Sequence, residues 1–310
     1  ATDTGATTVA SDPSPLAPPA PERALAPAVE SEPERSEPAG SELAAPPIAD
    51  PFLRRAAAYV DRFERTFTSV TWHERYEQED RVWRRFGSSG ALTSTVTGRR
   101  ILESELFFAW LPQDATWISV RDVETVDGQT RPSDERRLPS LSKRATVSLP
   151  ELRELARENG RFNLGQIVRT FNEPTLALLF LDPRHRGGVK FSRKTQQRIA
   201  GRSLVTYEFV EQRRPTLIRS GDRSVPVSGT FRIDEVTGAV WSTSIEVSEP
   251  AAGLTGSMAV DYRPHVTFDV LVPHEMREAY ASSGIEQVTA VASYSDFRRF
   301  QTTARLILTP

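Results

Sequence analysis

The chain contains no cysteine. Disulfides, thiolate metal sites and a cysteine nucleophile are therefore excluded, although that absence fixes no compartment. Histidine is scarce as well: His73, His185, His265 and His274 are the whole set. None lies in an HExxH arrangement, and the only local pairs are His73-Glu74 and His274-Glu275. On a strand, neighbouring residues point to opposite faces, so His73 and Glu74 cannot grip one metal between them. Each histidine reads as a lone surface or edge residue. The phosphate-cradling GxxxxGK[ST], the dinucleotide GxGxxG and the GxSxG nucleophile elbow are all missing. Long apolar runs are missing too. The longest, Leu176–Leu181, falls far short of the roughly 20 residues that span a bilayer. With 41 acidic residues, any choice of a carboxylate pair for acid–base work would be arbitrary. No catalytic residue, metal ligand or cofactor is assigned.

What is present divides the chain. Residues 1–49 are rich in Pro, Ala, Ser and Glu and poor in aromatic and β-branched side chains. Such a segment cannot bury enough apolar surface to offset its ordering entropy, so it reads as a disordered tail, a tether or spacer. Nine acids in residues 1–50 stand against Arg23 and Arg35, a net of −7, which leaves about +5 on the remainder of a chain whose total is −2. A Pro/Ala/Glu-rich leader is what often follows a removed signal peptide, so the expectation is an exported protein, periplasmic or secreted. An arbitrary chain boundary is the alternative.

Residues 50–310 read as one domain. Asp50 caps a helix with Pro51 at its first position, and Phe52, Ala56, Val60, Phe63 and Phe67 recur at helical spacing. Strand signals follow at Val70–Tyr76, Arg81–Arg85, Ala91–Thr97, Glu103–Leu111 and Thr116–Thr125, with a turn over Val126–Gln129. A helical insertion occupies about 145–185. It opens on the capping box Ser148-Leu149-Pro150-Glu151 and includes Leu176–Leu181 after Pro174. A segment apolar all round must be buried, either as a lid or plug inside a hollow sheet or as a plain core helix. Further strands run from Val189 onward, including Val266–Leu271 and Thr303–Leu308, with a helical turn or two at His274–Tyr280. The clearest unit is the hairpin Ser228–Glu249, in which Asp234 and Gly238 supply the turn chemistry. The expected fold class is α+β: a large curved antiparallel β-sheet, a half-barrel, with an N-terminal helix and a central helical insertion.

The run Arg121-Asp122-Val123 with Val126-Asp127-Gly128, the segments Pro174–Leu181, Pro215–Ile218 and Gly229–Asp234, and Tyr294–Phe300 together resemble a set of uncharacterised exported bacterial proteins. The Gly229–Val247 hairpin is also similar to one in the LolA/LolB-like group of periplasmic lipoprotein carriers. That resemblance implies a strongly curved half-barrel whose helices close an apolar concave face over acyl chains. The insertion here is longer than in such a carrier.

Three functions are carried forward. The first is a binding protein for an apolar ligand, a lipid or acylated chain, lined by Trp72, Phe107, Trp110, Leu178, Phe180, Phe231, Trp241 and Met258. Burial of apolar area, at roughly 25 cal/mol per Å², would drive it without a catalytic group. The second is a cell-envelope scaffold with a filled core and an envelope protein as partner. The third is a carboxylate-based hydrolase. The basic run holding Arg184, Arg186, Lys190, Arg193 and Lys194 would contact an anionic group or an acidic partner, or form a solvated face. Only Phe191 lies among these residues for stacking on bases, which argues against nucleic acid.

Overall fold

The computed structural model describes residues 24–27, 50–68, 70–86, 91–111, 116–132, 146–148, 154, 158, 160–169, 172–220, 223–282, 284–299 and 307–309. Helix α1 spans Pro51–Phe67, and the Asp50 carboxylate accepts a hydrogen bond from Phe52 N at 2.8 Å, the end-cap written in the sequence. Ala56, Val60, Phe63 and Phe67 are buried on one face, with Leu53, Ala57 and Tyr59 beside them.

Strands make up most of the rest. They are β1 (Ala24–Pro27), β2 (Val70–Phe86), β3 (Ala91–Leu111), β4 (Thr116–Val126), β5 (Gln129–Thr130), β6 (Thr146–Ser148) and β7 (Val168–Arg169) in the first part. The second part holds β8 (Val189–Ile199), β9 (Arg202–Glu211), β10 (Ile218–Ser220), β11 (Arg223–Val225), β12 (Val227–Asp234) and β13 (Val240–Glu249). It closes with β14 (Leu254–Arg263), β15 (Val272–Ser282), β16 (Glu286–Arg299) and β17 (Ile307–Thr309). One large sheet takes 11 strands in the order β5-β4-β3-β2-β16-β15-β14-β13-β12-β9-β8. Every pairing in it is antiparallel and it stays open, with β5 and β8 as its edges. A four-stranded sheet, β11-β10-β1-β7, and a pair, β17-β6, complete the topology.

The Ser228–Glu249 hairpin forms as read. Asp234 Oδ1 accepts from Val236 N at 3.0 Å and Thr237 N at 2.8 Å, and Gly238 takes φ +74°. Gly229 has a packing reason: a Cβ there would sit 1.9 Å from the Ser244 carbonyl oxygen.

Several expectations are corrected. His274–Tyr280 is strand, part of β15, not helix. Its Glu, Met, Arg and Ala favour helix, but Met276, Glu278 and Tyr280 alternate into the core and the segment pairs with neighbours on both sides, so tertiary pairing overrides propensity. Val266–Leu271 is instead irregular chain between β14 and β15, with Phe268, Val270 and Leu271 buried. In the expected insertion the described residues form short 3-10 turns at Gly160–Phe162 and Leu176–Leu181, strands at Thr146–Ser148 and Val168–Arg169, and turns or irregular chain between them; a further 3-10 turn, Arg186–Gly188, follows it. Glu154 and Glu158 are helical; the other residues between Ser148 and Gly160 lie outside the described residues, as does the tail 1–49 apart from β1.

One face of the large sheet is apolar and covered, and the other carries charges such as Arg75, Glu77 and Glu79. Asp50 at the start of α1 meets the Tyr207 hydroxyl of β9 at 2.7 Å. Phe67 at its end meets Trp72 of β2 and Phe108 of β3. From β9 to β3 is seven strand spacings, about 34 Å on a flat sheet. The helix itself is only about 25 Å long. The long aromatic side chains at both ends take up the difference, so α1 crosses the covered face from β9 to β2 and β3.

Candidate functional site

The covered face holds two aromatic groups. In the first, Trp72 is fully buried with its ring 4.7 Å from Phe108 and 5.6 Å from Phe67, edge to face in both cases. Phe107, expected among the lining residues, is buried on the opposite face instead, in register with Thr71 and Val120. The ring that meets Trp72 is that of the next residue, Phe108. The side chain of Trp110 lies outside the described residues.

In the second group the rings of Phe180, Phe209 and Phe231 follow one another at 4.8 Å per step, each tilted by about 30° to the next. Leu178, Phe180, Phe231 and Met258 are each no more than 2% exposed. Trp241 is only partly buried, with the Arg202 guanidinium 5.0 Å from its ring centroid. Its position follows from the bulge at Arg232/Ile233, which takes it out of register with β12.

Between the groups sit α1 and Leu176–Leu181, whose six side chains are all buried. The segment is a 3-10 turn without a side-chain cap. It is held by its flanks: Tyr262 donates to the Pro174 carbonyl at 2.6 Å, and Arg184 bridges Asp182 at 2.5 Å and Glu64 of α1 at 2.8 Å. Helix α1 is tethered in turn by Arg55, which donates to the Glu235 carbonyl at 2.8 Å, and by Tyr59, whose hydroxyl accepts from Leu271 N at 2.9 Å. The expected lining residues whose side chains are described thus share a covered interior, Phe107 excepted. The chain's own segments occupy that interior.

Beside this apolar region runs a buried polar seam that the sequence reading missed. Arg121 makes a two-pronged ion pair with Glu74, at 2.5 and 3.0 Å, and its guanidinium lies 5.2 Å from the Tyr76 ring. Tyr76 and Tyr280 donate to the two oxygens of Glu278 at 2.6 and 3.1 Å. Arg169, fully buried, donates to Gln78 at 2.5 Å and lies over the Tyr280 ring. Desolvation pushes the Glu278 carboxyl up, opposed by the charges of Arg169 and Arg121 and by the tyrosine hydroxyls. Desolvation opposes the charge on Arg121, and the Glu74 carboxylate more than offsets it, so its pKa lies above the usual arginine range. The signal was available: Glu74, Tyr76 and Gln78 continue the inward alternation that Trp72 begins. Glu74 and Glu278 are each at most 4% exposed and held by donors. The seam orders the fold.

A second polar feature is Glu211, whose carboxylate accepts from Leu217 N at 2.7 Å. Burial pushes its pKa up to about 7, with the backbone donors at Leu217 and Val227 opposing.

The basic run does not converge on a point. Arg184 serves the flank of Leu176–Leu181, Arg193 lies over the Phe52 ring at 4.6 Å, and Lys194 pairs with Glu208 at 2.8 Å. Arg186 and Lys190 make no ion pair among the described residues. Nor, among those residues, do three His, Asp or Glu side chains gather as a metal would require, and no helix is long and apolar enough to cross a membrane.

No protein-family profile and no curated protein matches the chain. Among solved structures it is similar to a domain provisionally assigned as an outer membrane lipoprotein-sorting protein from Vibrio parahaemolyticus, at 11% identity and TM-score 0.25, covering 81% of this chain and 95% of that one. It is also similar to a DUF1329 family protein from Desulfovibrio piger, at 9% identity and TM-score 0.27, covering 81% and 98%. A third likeness, to lipovitellin in a structure of lipid–protein interactions, has 7% identity and TM-score 0.25 and covers 76% of this chain but 26% of that one. The first two are of the LolA-like and uncharacterised kinds that the sequence resembles. At TM-scores this low, nothing about the ligand or chemistry of this chain follows from them.

Proposed function

We propose that this chain is a non-catalytic binding protein of the cell envelope that shelters an acyl chain against the apolar face of its sheet. The observation that carries the reading is the way that face is covered. Among the described residues, the open 11-stranded sheet is covered piecemeal: by helix α1, by the uncapped turn Leu176–Leu181, by the loop bearing Phe268, Val270 and Leu271, and by Ile218 and Val225 of the small sheet.

Magnitudes decide how a ligand could enter. Exposing the five large side chains of Leu176–Leu181 costs roughly 1.5–3 kcal/mol each, or about 8–15 kcal/mol in all. That equals the whole stability of a typical domain, so the segment cannot simply swing into water. A 16-carbon chain entering the same space gains about 0.8 kcal/mol per methylene, about 12 kcal/mol. Ligand and segment are near-equal occupants, and an exchange between them is close to balanced. Balanced exchange suits a carrier that both loads and releases. Phe180 and Leu178 would be the displaced side chains, with Phe231 and Met258 the sheet surface they leave. Titration with a fluorescent fatty acid tests this: saturable binding that competes with unlabelled acyl chains is expected.

A second reading, the scaffold with a filled core, is favoured by the near-zero exposure of the same side chains. It expects no saturable acyl binding at any concentration below the probe's micelle point.

A further inference from the structure

The hairpin of β2 and β3 outruns the sheet. Strand β16 pairs with β2 only as far as Val82, whereas β2 and β3 continue through Trp83↔Ser94, Arg84↔Thr93, Arg85↔Leu92 and Phe86↔Ala91. The result is a two-stranded ribbon projecting past its neighbour. Its root is fixed: Trp83 N donates to the Ile285 carbonyl at 2.6 Å, and its indole N–H to Gln287 at 3.3 Å. Beyond the root Leu92 is 56% exposed, and at the root Ile285, across from Trp83, is 57% exposed. Arg84 and Arg85 are exposed and make no ion pair among the described residues. Residues 83–95 contain no acid. Several arginines elsewhere on the sheet are partnered: Arg75 with Glu103, Arg81 with Glu79, Arg277 with Asp261, Arg298 with Glu105.

We infer that this ribbon docks the protein on an anionic lipid surface, with Leu92 and Ile285 entering the headgroup region, and with Arg85, across from Leu92, and Arg84, on the ribbon's opposite face, meeting lipid phosphates from its two sides. Unpaired cations beside exposed aliphatics, with a tryptophan at the base, are the combination that interfaces of charged bilayers favour. A protein partner is the poorer fit, because a stable interface needs about 800 Å² per side and a single ribbon presents far less. The inference stands apart from the acyl-binding reading: it concerns where the chain rests, and either can fail alone.

The test is flotation of the full chain with vesicles of phosphatidylglycerol and phosphatidylcholine, and with phosphatidylcholine alone. Binding is expected on the anionic vesicles and is expected to weaken with added salt. At about 1 kcal/mol per basic residue, roughly fivefold each, R84E/R85E should weaken partition at least about twentyfold, and R84K/R85K should retain it. Leu92→Asp should weaken it as well. R54E/R198E, with the same change in net charge at the other end of the strands, should bind like the parent. Melting curves of each variant confirm an intact fold; should R84E/R85E fail to fold, R84Q/R85Q takes its place with about fivefold to twentyfold loss expected. Equal binding to uncharged vesicles, no binding at all, or equal losses in R84E/R85E and R54E/R198E would overturn the inference. Anion-dependent capture of an acidic protein or RNA without vesicle binding would overturn it too.

Discussion

Replacing Phe180 with alanine separates the two readings of the covered interior. The ring is 1% exposed and packs, tilted, 4.8 Å from Phe209, which in turn packs against Phe231. Truncating a buried phenylalanine costs about 3–5 kcal/mol, because transfer energy is lost and the cavity collapses only in part. For a chain of this size each kcal/mol shifts the melting temperature by about 2–4 °C, so a fall of about 6–20 °C is expected. The same deletion leaves apolar room beside the sheet. An acyl chain that uses it should bind more tightly to the variant than to the parent. At a hundred times its Kd it should return about 2.7 kcal/mol of the lost stability. Thermal melts of both proteins, with and without a fluorescent fatty acid, read all of this in one experiment. A loss under about 1 kcal/mol would mean that Phe180 is not seated as described, since it is far below the range for a buried ring. A full loss without any ligand rescue would refute the exchange argument and leave the filled core.

Three further outcomes follow from the polar groups and the hairpin. Arg121→Met alone leaves Glu74 buried and unpaired and should cost about 3–5 kcal/mol, whereas Glu74→Leu with Arg121→Met should be near neutral; urea titrations of the three proteins decide it. Glu211, raised from 4.5 to about 7, keeps a proton in the folded state that the unfolded chain has already released. Stability should therefore fall as pH rises from about 4.5 to 7, by at most about 3 kcal/mol, and Glu211→Gln should remove that slope and be the more stable protein at pH 8. Gly229→Ala places a methyl against the Ser244 carbonyl and should cost at least about 1–3 kcal/mol, measured by its melting temperature.

Local grammar in the sequence reached far into this fold. Asp50-Pro51, the stripe of α1 and the Asp234–Gly238 turn all rest on short-range chemistry, and each stands where the sequence placed it. What was lost depended on partners distant in sequence. Residues 274–280 look helical until β14 and β16 flank them, and 266–271 carry strand-forming residues whose apolar side chains are buried from a loop instead. Phe107 and Phe108 are equally apolar, and only the register with Thr71 and Trp72 tells which ring joins the core. The seam was hidden for the same reason. Glu74 and Arg121 lie 47 residues apart in sequence, and nothing near either one announces the other.

The most direct test of acyl sheltering is mass spectrometry of the organic extract from the full chain purified out of bacterial envelopes. The account predicts acyl lipid at close to one molecule per chain, depleted when an excess of a competing fatty acid is present during purification. Lipid-free protein from such a preparation, with no uptake when acyl lipid is supplied afterwards, would contradict it.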